Sequence, residues 1–81
     1  MSEFDRLADE RWARGVAAYR DDPSEPFKGD PVEEGCEELL DCRNYVNESE
    51  RQGRISSEIA ALIRTHLARA YWLLSTKRTK G

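Results

Sequence analysis

The sequence predicts an all-α protein, a three-helix hairpin-like bundle completed by self-association. Three observations lead there. Apolar residues recur every three or four positions along three stretches; a proline-rich loop and a turn at Gly53 separate those stretches; and no run shows the alternation of a half-buried strand. The chain has 81 residues, and a domain of that size buries only about 60% of the surface its unfolded form exposes, so a second subunit would help to stabilise it. Hydrophobic residues make up 38% and charged residues 36%, which describes a small domain with a thin core rather than a disordered segment.

The first helix is expected over 2–19. Ser2 followed three residues later by Asp5 forms a capping signal, and Phe4, Leu7, Ala8, Trp12, Val16 and Tyr19 then recur at helical spacing. The loop over 20–30, within RDDPSEPFKGDP, holds prolines that lack an amide donor and restrict the residue before them. The second helix is expected over 31–52. Asp30 supplies the N-cap acceptor, Pro31 occupies the first helical position, and Glu33 follows in the first turn. Val32, Cys36, Leu39 and Val46 project in one direction, and Gly53 ends the helix with a left-handed cap. Ser56 caps the third helix, expected over 56–75, whose apolar stripe comprises Ile59, Leu62, Ile63, Leu67, Ala70, Tyr71 and Leu74. The basic tail 76–81 is expected to fray. All three helices belong to a single small domain spanning 1–81.

Composition excludes several classes of function. The net charge is −3 and the positive residues gather late in the chain, so duplex DNA is an unfavourable partner. GRISSEIAALI has a faint helix-turn-helix character, but the neighbouring acidic helix would repel a duplex backbone. The acidic N-terminal stretch MSEFDRLADERW lacks the basic and apolar regions of a secretory signal. No stretch approaches the ~18 apolar residues of a membrane span, so a cytoplasmic protein without membrane association is expected. Cys36 and Cys42, roughly 9 Å apart along one helix, are too distant for a disulfide and read as reduced core thiols. His66 is the one histidine, too few for a structural zinc site.

The stretch EEGCEELLDCRNY carries the strongest chemical signal. On a helical wheel Glu33, Glu34, Glu37, Glu38, Asp41, Asn44, Tyr45 and Glu48 share one half, opposite Val32, Cys36, Leu39 and Val46. The default for such a face is solvation. Yet Glu33–Glu37, Glu34–Glu38 and Glu37–Asp41 are like-charge pairs at i,i+4, each costing roughly 0.2–0.5 kcal/mol. A hard divalent cation reverses the sign of that cost, because Mg²⁺ prefers carboxylate oxygens. Asn44 and Tyr45 add an amide and a phenol to the same face, as ligand contacts or packing groups.

These residues carry a resemblance. EEGCE matches E-E-x-x-E and ELLD, Glu38 to Asp41, matches E-x-x-D; with the following RNY they look like the metal-binding helix of the MazG-like, all-α nucleoside triphosphate pyrophosphatases. ERWARGVAAY, a loop with FKGDP and then the acidic helix resemble the short phage and bacterial members, so the likeness covers about residues 4 to 50. It implies an Mg²⁺-dependent hydrolase that cleaves a nucleotide between its α and β phosphates, with Glu34, Glu37, Glu38 and Asp41 as the metal set. In the family the two motifs lie on separate helices, whereas here they overlap on one. The remaining carboxylates must then come from Asp9 and Glu10 of the first helix or from another subunit of a homo-oligomer.

Other residues have plainer readings. His66 reads as a core or interface histidine, since no serine or cysteine gives it a triad context. Trp12 and Tyr71 read as core aromatics, while Trp72, off the main stripe, is the better candidate for contact with a ligand. Arg64, Arg69, Lys77 and Arg78 read by default as an outer charged face. The competing function is a non-enzymatic helical interaction protein of phage type, whose acidic face docks a basic partner surface or mimics nucleic acid. That protein needs no metal.

Overall fold

The computed structural model describes residues 2–19 and 29–78, with side chains over 2–15 and 29–76. The chain forms three helices, α1 (Glu3–Tyr19), α2 (Pro31–Arg51) and α3 (Ser57–Arg78), and the described residues contain no strand. None of the described helices is long and apolar enough to cross a membrane.

Each helix starts on a side-chain cap that satisfies amides lacking an intrahelical partner. Ser2 Oγ accepts from the Asp5 amide at 3.0 Å and donates to the Asp5 carboxylate at 2.8 Å. The Asp30 carboxylate accepts from the Val32 amide at 2.9 Å, with Pro31 in the first turn where its missing N–H costs nothing. Ser56 Oγ accepts from the Ile59 amide at 3.1 Å. At the end of α2 the Gly53 amide donates to Glu50 O and the Arg54 amide to Ser49 O, both at 2.9 Å. This paired bonding requires a left-handed residue, and Gly53 adopts φ +75°. The turn that follows is short, so α3 folds back beside α2.

The α2–α3 pair is antiparallel: Glu50 near the turn reaches Arg64, and Gly35 near the start of α2 lies against Leu74 near the end of α3. Small residues let the two backbones approach. Cys36 and Ala60 are fully buried and Val46 and Ser75 nearly so, with Leu39, Ile63, Leu67, Tyr71 and Leu74 half-buried around them. Ser75 satisfies its buried hydroxyl by donating to Trp72 O at 3.3 Å. Across the interface Arg64 Nη1 donates to Asn47 Oδ1 at 3.0 Å and to Glu50 Oε1 at 2.9 Å.

Among the described residues α1 has no packing contact with α2 or α3. On it Phe4 is 77% exposed and Trp12 59%, which corrects the expectation that Trp12 belongs to the core. Cys42 is also exposed, against the expectation of two core thiols. Six residues advance a helix by 600°, or 240° around its axis, so Cys36 points inward and Cys42 away. His66 is exposed within the chain. α3 runs to Arg78, past the Ser75 end expected of it, while the calls on loop residues 20–28 and tail residues 79–81 lie outside the described residues.

Candidate functional site

α2 places its carboxylates by simple rotation. The buried side of the helix is set by Cys36 and Val46, and Glu33, Glu34, Glu37, Glu38 and Asp41 all lie exposed on the other side. Within it Glu34, Glu38 and Asp41 are neighbours at i,i+4 and i,i+3, and Glu37 lies one turn before Asp41.

The chain treats its acids in two ways. Glu3 and Glu10 both pair with Arg6, Glu48 pairs with Arg51, and Glu50 pairs with Arg64. The hydrogen bonds from Arg51 and Gln52 hold Glu48 well below the usual carboxylate range, at about 2. Glu50 is likewise held low, by Arg64 first and by Ser57 second. By contrast the side chains of Glu33, Glu34, Glu37, Glu38 and Asp41 have no hydrogen bond or ion pair with the described residues. The like-charge cost along this face is therefore not relieved by arginines of the same helix pair.

Asp9 and Glu10 lie on α1, which does not approach α2, so the structure does not bring them to the acidic face; Glu10 is bound instead to Arg6 at 2.7 Å. Among the described residues no three His, Cys, Asp or Glu side chains converge as a metal site does. The set Glu34, Glu37, Glu38 and Asp41 thus offers hard oxygen donors along one open face, and a closed coordination shell needs donors from elsewhere.

Asn44 and Tyr45 sit at the downstream end of the face. Arg43 Nη1 donates to Asn44 Oδ1 at 3.1 Å, and Tyr45 is 74% exposed. Trp72 is 67% exposed on α3 and meets Tyr71 edge-on, with ring centroids 5.4 Å apart and planes at 79°. The two aromatics line one wall of an apolar groove between α2 and α3, about 260 Å³ in volume, opposite Leu39 and Leu40 and edged by Arg43 and Arg64. Sequence reasoning did not find this groove. Leu40 lies between the apolar and acidic halves of α2 while Arg43 falls within the apolar half, and neither position reads as a groove edge until the direction of α3 is known.

No protein-family model, curated protein or solved structure matches the chain.

Proposed function

We propose that this chain is a MazG-like, Mg²⁺-dependent nucleoside triphosphate pyrophosphohydrolase-type protein whose α2 supplies one half of a metal site. The observation that carries this reading is the unpaired state of the acidic face: Glu33, Glu34, Glu37, Glu38 and Asp41 lack cationic partners among the described residues, while Glu3, Glu10, Glu48 and Glu50 have arginines. A face that accumulates like charge without internal relief suits a cation supplied from outside. Glu34, Glu37, Glu38 and Asp41 would hold it. Mg²⁺ bound there would lower the pKa of a water and shield phosphate charge. Asn44, Tyr45 and Trp72 are the candidate contacts for the nucleotide, and the donors that α2 lacks would come from a second copy, because α1 of the same chain does not bring Asp9 and Glu10 to the face.

The test is hydrolysis. With Mg²⁺ and a panel of nucleoside triphosphates, the full chain is expected to release monophosphate and pyrophosphate, and Asp41→Asn is expected to abolish release while keeping its helicity. Release of inorganic phosphate in place of pyrophosphate, or turnover retained in Asp41→Asn, would reject this assignment.

A second reading is favoured by one observation, that no three carboxylates converge among the described residues. In it the acidic face docks a basic protein surface without metal. Asp41→Asn then weakens the partner modestly and in a salt-sensitive way, and Mg²⁺ has no effect.

A further inference from the structure

The groove between α2 and α3 has a cationic end and an apolar end. The helices run antiparallel, with Asn47 meeting Arg64 near the turn and Gly35 meeting Leu74 at the far end. Arg43 therefore stands level with Leu67 and Ala68, and Leu39 and Leu40 stand level with Tyr71 and Trp72. Both arginines lie toward the turn, while the leucines of α2 and the two aromatics form the other end. Four residues separate Arg43 from Leu39, so the ends are about 6 Å apart along the helix axis.

Arg43 is placed unlike the paired arginines of the chain. It falls within the apolar half of α2, and none of the residues three or four positions from it, Leu39, Leu40, Val46 and Asn47, is acidic. Arg6, Arg51 and Arg64 each bind a carboxylate, whereas the bond described for Arg43 runs from Nη1 to the neutral Asn44 Oδ1. Arg64 already meets Glu50, so the uncompensated charge at this end of the groove is that of Arg43. A guanidinium carries five N–H donors in a planar fork that matches a carboxylate, and most of those on Arg43 have no acceptor among the described residues.

An arginine on an apolar face by default lays its stem on that face and sends its head to water. What sets Arg43 apart is the hollow of about 260 Å³ beside its head, walled by leucines and by the edge-on Tyr71–Trp72 pair. Concave apolar sites with a few placed polar groups are where small ligands bind. This volume lies just below the ~300–1,000 Å³ of sites that enclose drug-sized ligands, which suits a short apolar body and leaves no room for a whole nucleoside triphosphate. We propose that the groove binds a small amphiphilic carboxylate, its head on the Arg43 guanidinium and its apolar body between Leu39, Leu40, Leu67, Tyr71 and Trp72. Trp72 is the one residue shared with the proposed nucleotide contacts, and binding here needs neither metal nor the acidic face.

The test uses the full chain carrying Trp12→Phe, so that Trp72 fluorescence reports alone, in buffer without divalent cations. Octanoate is expected to shift that fluorescence saturably, 1-octanol to bind at least about tenfold more weakly, and acetate to give no response. Arg43→Gln is expected to remove the preference for octanoate over octanol with helicity unchanged. Ala68→Leu, which fills the middle of the groove from an exposed position, is expected to abolish the response to both. Asp41→Asn is expected to bind octanoate like the native chain, which separates this site from the metal reading. Absence of a saturable response to octanoate would overturn the proposal. So would octanol binding as tightly as octanoate, a preference that survives Arg43→Gln, or a response that Ala68→Leu leaves intact.

Discussion

Asp41 and Glu37 set the argument at the scale of single residues. They are like charges one helical turn apart, and neither has an arginine among its described neighbours. Asp41→Asn keeps the shape and removes one charge, so in metal-free buffer it is expected to raise stability by about 0.2–0.5 kcal/mol, read by urea unfolding. Glu48 behaves in the opposite way. Its carboxyl sits at about 2 in the folded chain against the ordinary 4.5, so its pair with Arg51 and Gln52 stabilises the fold above about pH 4.5. That contribution is lost as pH falls from 4.5 toward 2, and it is screened by salt because the group is exposed. Glu48→Gln is expected to show a shallower acid decline than the native chain in thermal melts between those pH values. Both residues were legible in EEGCEELLDCRNYVNESER as members of one face. The pairing of Glu48 was legible, since Arg51 lies three residues on, whereas that of its neighbour Glu50 was not, since Arg64 reaches it from another helix.

At the scale of elements the caps and the turn were readable because their chemistry is local. Ser2, Asp30 and Ser56 each accept from an amide two or three residues on, and Gly53 takes the one left-handed conformation among the described residues. Gly53→Ala keeps space around the new Cβ but strains the backbone, and it is expected to cost roughly 1 kcal/mol by denaturant unfolding. Gly35 was not readable, because its reason lies across the helix pair. A Cβ added there comes within 2.9 Å of Leu74 Cδ2, the movable end of a half-buried side chain. For Gly35→Ala the gain of about 1 kcal/mol in helix propensity is offset by that displacement, and a change within about 0.5 kcal/mol is expected. Gly35→Val adds methyl groups that the interface has no room for, and is expected to lose about 1–3 kcal/mol. Cys42 and Trp12 were misread for a related reason. Periodicity within a helix identifies an apolar side, and the identity of the element that covers it depends on the neighbours that fold against it.

At the scale of the whole molecule the chain is a tight α2–α3 hairpin with α1 unpacked among the described residues. Two groups of side chains on the described hairpin stay exposed: the acidic side of α2, and Ile59, Leu62 and Leu73 of α3. The proposed cation site rests on the first of these. The acidic face was the most legible feature of the sequence, since its like charges at i,i+4 are costly unless something outside the helix relieves them. The absence of converging carboxylates among the described residues was not legible, because the position of α1 relative to α2 leaves no mark on either helix's own pattern. The central claim is that Glu34, Glu37, Glu38 and Asp41 hold a divalent cation. Its most direct test is the thermal stability of the native chain and of Asp41→Asn, followed in parallel as Mg²⁺ is titrated to millimolar concentration. A ligand bound only by the folded state stabilises by RT ln(1 + [L]/Kd), so a site filled at ~100 Kd adds about 2.7 kcal/mol. The native chain is expected to gain on that order and Asp41→Asn to gain almost nothing. An unchanged native melting temperature, or an equal gain in both proteins, would contradict the claim.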